Sequence, residues 1–186
     1  MENETKQGQN NFRKKLVTDS WLEKFVNSGS GWLIIISGSM APLIQIKDQI
    51  LIKKTPPSQI HPGDIITFWR GNMLVTHRVI RKFNKSGNTY FVEKGDANAN
   101  YSRVENKLLI GKVVKIKKGN REFILDTLAW TMLNRTIGVF LLGAYSMRII
   151  GRKTPYIPGW IKSVVRQVFD IVVSLRDKIV RTILGE

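Results

Sequence analysis

Between Trp32 and Lys117 six short runs are cut apart by turn signals: Trp32–Ser37, Gln49–Lys54, Asp64–Trp69, Leu74–Arg81, Thr89–Glu93 and Leu108–Lys117. This punctuation constrains the fold more than any other feature of the chain. The runs are rich in Ile, Val, Phe, Tyr and Thr, residues that suit a pleated, half-buried surface. Thr55-Pro56-Pro57, Pro62-Gly63-Asp64, Arg70-Gly71-Asn72 and Lys85-Ser86-Gly87-Asn88 favour chain reversal. Together they predict an all-β core of about 90 residues, undivided by internal repeats. The apolar run Trp32–Ile36 has the length of a strand and falls far short of a membrane span.

The flanks read differently. Residues 1–30 form a polar, Asn-rich arm in which Leu16, Val17, Trp21, Leu22, Phe25 and Val26 predict one face of a short helix, stopped by Asn27-Ser28-Gly29. Lys14, Lys15, Asp19, Glu23 and Lys24 interrupt it, so neither a signal peptide nor an amino-terminal anchor is expected. From Glu122 to Ile150 the composition is helical, with a break or kink expected around Gly138 and Gly143. Thr127–Met147 carries a single charge, Arg135. A lone Arg at mid-bilayer costs about 2.5–3.5 kcal/mol, and Asn134 and Thr131 add to it, so an interfacial or protein-buried helix pair is favoured over a membrane span.

After a linker at Gly151–Pro158, Ile161, Val164, Val165, Val168, Val172, Leu175, Ile179 and Ile183 recur at helical spacing opposite a basic face. Trp160 and the low-charge segment before it favour a membrane-surface anchor. The expected division is a polar arm (1–30), a β-rich domain (31–121) and a helical, amphipathic, membrane-associated segment (122–186).

The chain of 186 residues has no Cys and only two His, His61 and His77, with a net charge of +16. Disulfide frameworks, Cys-based zinc sites, cysteine nucleophiles and all-His metal sites are therefore excluded. Residues 31–121 hold 16 basic against 5 acidic side chains. Lys53-Lys54, Arg78, Arg81-Lys82 and the set Lys112, Lys115, Lys117 and Lys118 are expected on solvated faces. Such a surface favours an anionic membrane, nucleic acid or an acidic peptide. The aromatics Trp69, Phe83, Tyr90 and Phe91 are too scattered for a stacking platform, and no zinc knuckle, recognition helix or phosphate loop is present. No specific nucleic-acid partner is expected.

Three places carry possible chemistry. Ser37-Gly38-Ser39-Met40-Ala41-Pro42 follows a strand and reads as a tight turn that lifts a hydroxyl off the strand end. His77 lies within Leu74–Ile80, where period two sets it on one face with Val75 and Val79. Glu93–Asn100 is turn chemistry in which a carboxylate could hold an imidazole in one tautomer. Each has an ordinary structural explanation when taken alone: a backbone-bonded Ser, a half-buried His and an Asx-turn.

Their order adds more. Ser37–Pro42, Pro62-Gly63-Asp64-Ile65-Ile66-Thr67-Phe68, His77-Arg78-Val79 and Gly95-Asp96-Ala97-Asn98 occur as successive boxes. This arrangement, over roughly Trp32 to Lys118, resembles signal peptidase I. It is closest in kind to the branch of the endoplasmic reticulum, archaea and spore-forming bacteria, which pairs Ser with His where most bacterial enzymes use Ser-Lys.

The resemblance implies a mainly β catalytic domain that cleaves exported precursors after small residues. It implies Ser39 as nucleophile, His77 as general base, and the Ser37 hydroxyl with the Ser39 amide as oxyanion hole. Asp96 would orient His77, while Met40 and Pro42 would shape the turn and the pocket floor. No metal or organic cofactor is implied. The sequence departs from the branch at Asn100-Tyr101-Ser102-Arg103, where a further acid usually stands, and in lacking an amino-terminal anchor before the serine.

The expected protein is thus a membrane-associated serine endopeptidase acting on signal or leader peptides, with an anionic membrane surface as partner. The side of the membrane is open, with the cytoplasmic face slightly favoured by the missing anchor. The alternative is a non-catalytic basic module, derived from a peptidase, that binds membrane or nucleic acid. A Ser-Lys peptidase is disfavoured because Lys82, Lys85 and Lys94 stand in no matching box.

Overall fold

The turn signals end strands where the sequence places them. The computed structural model describes residues 20–153 and, beyond them, the helical positions 163, 167, 171, 174, 178, 181 and 182. Helix α1 (20–28) precedes β1 (Ser30–Ile34), β2 (Gln49–Lys53), β3 (Ile65–Arg70), β4 (Met73–Lys85), β5 (Asn88–Lys94), β6 (Ser102–Glu105), β7 (Leu109–Lys118) and β8 (Arg121–Ile124). Helix α2 (Leu128–Lys153) follows. The strands form one antiparallel sheet in the order β1-β2-β7-β3-β4-β5-β6, with β8 also on β7. The protein is mainly β with a helix after the sheet, and the sheet curls into a half-barrel.

Local chemistry explains the curl and the hairpins. Bulges fall at Val114 of β7, opposite Leu51 and Ile52, at Ile110 of β7, opposite Thr67 and Phe68, and at Ile80 of β4, between Val79 and Arg81, and each bends its strand and increases the twist. Ser86 and Gly87 both adopt positive φ, the mirror-image turn whose twist matches the strands it joins. Gly29, also at positive φ, ends α1 by donating its N–H to the Phe25 carbonyl (2.8 Å).

Three apolar clusters hold the layers together. The first joins Phe25 of α1, the loop residues Met40, Leu43 and Ile44, the strand residues Ile50, Ile52, Ile65, Val113 and Ile116, and Trp130 of α2. The second, on the other side of the central strands, contains Ile60, Ile66, Phe68, Val79, Phe91 and Val104. The third packs Ile137 and Leu141 of α2 on Ile80 and Val92. The middle of β4, Thr76–Ile80, is therefore buried on both faces.

Several expectations change here. The sheet continues past residue 121, because β8 pairs with Lys115–Lys118 of β7, and β6 adds a strand that no apolar run announced. The break expected at Gly138 and Gly143 does not occur, since α2 is one helix of 26 residues. Gly138 serves packing instead: a Cβ there would lie 2.4 Å from the Gly63 nitrogen, and one on Gly63 would lie 2.1 Å from the Asn134 carbonyl oxygen. The helix backbone thus rests directly on the Pro62–Asp64 turn. Among the described residues no helix is long and apolar enough to cross a membrane. Most of the polar arm (1–19) and most of the amphipathic segment after Lys153 lie outside the described residues.

Candidate active site

The chain leaves β1 and returns to β2 through a loop pinned at its neck. Ile35 donates to the Asp48 carbonyl (2.8 Å) and accepts from the Lys47 N–H (2.8 Å). Asp48 in turn accepts the Gln45 N–H (2.7 Å) and the Lys118 ammonium (2.9 Å). Inside the loop Ala41 donates to the Gly38 carbonyl and Ile44 to the Met40 carbonyl. Met40, Leu43 and Ile44 are at most 2% exposed, so the turn carrying Ser39 is bolted into the core from its far side. Met40 is thereby an anchor of the turn, and Pro42, buried after a cis Ala41–Pro42 bond, sits beside it.

A second strand end meets this turn. The Ser39 carbonyl accepts the Ala97 N–H (2.9 Å), and a Cβ on Gly95 would lie 2.6 Å from the Ser39 carbonyl oxygen and 3.0 Å from His77 Nε2. Only a glycine lets the β5 end approach the serine turn this closely. Ser39 Oγ lies 3.2 Å from His77 Nε2. His77 stands opposite Ile66 on β3, is 6% exposed, and has the Phe68 ring edge-on at 6.3 Å. Its Nδ1 bonds Oε2 of Glu93, a side chain 1% exposed, and Oε1 of Glu93 accepts Arg70. An Nδ1–H donated to this carboxylate leaves the Nε2 lone pair facing Ser39.

The orienting carboxylate expected at Asp96 is therefore supplied by Glu93. Asp96 lies beyond the end of β5 and receives the Arg78 guanidinium on both oxygens, Nε to Oδ1 at 2.8 Å and Nη2 to Oδ2 at 2.7 Å. Arg78, expected on a solvated face, has no exposed surface. Its Nη1 donates to the Gly63 carbonyl (2.8 Å) and to Asn134 Oδ1 (2.7 Å), so all three nitrogens of its fork are bonded. Because His77 and Arg78 are neighbours on one strand, they face opposite sides: His77 and Glu93 make the site, Arg78 and Asp96 make the scaffold behind it.

The Pro-Gly-Asp box supports this scaffold. Gly63 N–H donates to the Val79 carbonyl and Val79 N–H to the Asp64 carbonyl, stapling the turn to β4 two residues from His77. Asp64 caps the turn by accepting the His61 N–H (2.8 Å) and pairs with Lys112 (3.1 Å). Ser37 is exposed, and neither its hydroxyl nor the Ser39 amide has a hydrogen bond among the described residues. No cluster of His, Asp or Glu among the described residues has the makings of a metal site.

No protein-family model matches the chain, and no curated protein matches it.

Proposed function

We propose that the protein is a serine endopeptidase of the signal peptidase I type, acting on signal or leader peptides through Ser39 and His77. The observation that carries this reading is the 3.2 Å approach of Ser39 Oγ to an imidazole whose far nitrogen is held by a buried carboxylate. A nucleophile, a base and an orienting acid in line are the parts that acyl transfer needs.

In the proposed reaction Ser39 Oγ attacks the scissile carbonyl while His77 Nε2 takes its proton. Glu93 balances the imidazolium that forms, without itself being protonated. The tetrahedral oxyanion is received by the Ser39 amide and the Ser37 hydroxyl. Collapse breaks the C–N bond as His77 returns the proton to the leaving amine, and the acyl-serine is released by water that His77 activates in the same way. Asp96 has a supporting part: with Arg78 it fixes the turn whose Ala97 N–H holds the Ser39 carbonyl.

Association with an anionic membrane surface belongs to the same proposal. Ile34, Ile36 and Ile46, which flank the serine turn, are 60%, 79% and 57% exposed, and the chain carries +16. The test is mass spectrometry of an exported precursor and of leader peptides incubated with the full chain, with and without anionic vesicles. Cleavage by the wild type and not by Ser39→Ala or His77→Ala is expected. Equal cleavage by the variants overturns the Ser39–His77 mechanism.

A further inference from the structure

We propose that Arg70 is a positioning residue for the Ser39–His77 pair, holding the outer oxygen of Glu93 so that the inner oxygen stays on His77. Its consequence for catalysis rests on the peptidase reading above, whereas the positioning itself does not.

Glu93 is buried. A carboxylate taken out of water is destabilising unless it is paired and hydrogen-bonded. Neutral His77 offers one N–H and no charge. Arg70 offers both, and its guanidinium bonds Oε1, the oxygen that His77 leaves over. The two carboxylates of the Glu93–Asp96 segment thus have separate guanidinium partners on opposite sheet faces, Arg70 for Glu93 and Arg78 for Asp96. They differ in access. Arg78 is sealed inside, whereas the Arg70 side chain is 43% exposed and reaches the site from its rim.

Geometry adds direction to charge. The terminal torsion of a Glu side chain is soft, so a carboxylate gripped at one oxygen can pivot about its last bond. Gripped at both oxygens, its plane is fixed, and with it the direction of the His77 ring toward Ser39. Arg70 is itself steadied. It ends β3 at a two-residue turn, with Gly71 at positive φ, and its guanidinium lies over the Phe68 ring at 5.3 Å. Phe68 meets His77 edge-on, so Arg70, Phe68, His77 and Glu93 form a closed circuit of contacts around the imidazole.

The test uses the full chain carrying His61→Gln, which leaves a single imidazole to observe by nitrogen-15 and proton NMR. In this background the low-field Nδ1 proton of His77 is expected to be lost or moved toward free imidazole in Arg70→Ala and in Arg70→Gln, with the sheet still folded by circular dichroism at a lowered unfolding midpoint. Arg70→Lys restores it in part, because an ammonium supplies the charge without the planar fork. Soluble guanidinium restores it in Arg70→Ala, since the vacated place opens to solvent. In parallel, the rate at which a fluorophosphonate probe labels Ser39, read by intact mass, is expected to fall roughly 10- to 100-fold in Arg70→Ala and to recover with guanidinium.

An unmoved His77 proton in folded Arg70→Ala and Arg70→Gln overturns the positioning role, even if Ser39 labels normally. A moved and guanidinium-rescued proton alongside a wild-type Ser39 that never labels supports the positioning role and sinks the peptidase reading.

Discussion

Glu93 reaches His77 Nδ1 from the neighbouring strand because one residue, Ile80, is bulged out of the ladder between β4 and β5. Counting back from the turn, Lys85 faces Asn88 and Arg81 faces Val92, so a regular ladder would set Ile80 opposite Glu93. The bulge sets Val79 there instead, and Val79 shares its face with His77.

That relationship separates two carboxylates that lie three positions apart. Glu93→Gln keeps the shape but leaves a single acceptor oxygen, which cannot serve both His77 and Arg70. It is expected to lower kcat on the order of 10³- to 10⁴-fold, with a smaller loss of stability than Asp96→Asn because Arg70, 43% exposed, returns to solvent. Asp96→Asn breaks a fully buried guanidinium fork and is expected to destabilise the fold by about 3–5 kcal/mol. Denaturant unfolding beside single-turnover kinetics checks both. A fully stable Asp96→Asn with the larger kinetic loss would return the orienting role to Asp96.

Gly95→Ala introduces a methyl group 2.6 Å from the Ser39 carbonyl oxygen and 2.7 Å from the Asn98 amide nitrogen. The Asn98 side chain can swing aside, but the Ser39 carbonyl is backbone, so the displacement falls on the turn that carries Ser39. A displacement of about 1 Å there corresponds to a loss on the order of 10²-fold in acylation rate. The readout is the rate of Ser39 labelling, with circular dichroism to confirm that the sheet persists.

Helix α2 is expected to behave as part of the sheet domain. Asn134→Ala removes one acceptor from a buried guanidinium and should cost about 1.5–3 kcal/mol, as a hydrogen bond to a charged group does. Gly138→Ala forces a Cβ to 2.4 Å from the Gly63 nitrogen, overpacking that is expected to cost about 1–3 kcal/mol. Ala at position 143 meets nothing within 4 Å and serves as the control on helix propensity. If Gly138→Ala unfolds no earlier than Gly143→Ala, the helix does not rest on the Pro62–Asp64 turn.

Ser37→Ala tests the oxyanion reading by itself. Ser37 is exposed and has no hydrogen bond among the described residues, so its removal should leave stability unchanged. A fall of about 10²- to 10³-fold in kcat with KM held is the expected result. An unchanged kcat would leave oxyanion stabilisation to the Ser39 amide and to groups outside this pair.

What local chemistry dictates is legible along the chain. β-branched runs and turn residues marked the strand that leads to the Ser39 turn and the strand that carries His77, and period two marked the face His77 shares with Val75 and Val79. The order of the boxes, and not residue type alone, singled out the hydroxyl, the imidazole and a carboxylate-bearing segment between residues 93 and 100 as candidates. Which carboxylate lies on the imidazole came from the fold. Face assignment across two strands depends on register, register depends on whether a residue is bulged, and nothing in the string Val79-Ile80-Arg81 declares a bulge. The same holds for Arg78 and Gly138. A basic residue on a strand and a glycine in a helix ordinarily mean solvent and a break, and each changed meaning when another element closed over it. Arg78 is buried because Asp96, Gly63 and Asn134 converge on its donors, and Gly138 lies within an unbroken helix because a turn 75 positions earlier lies against its backbone.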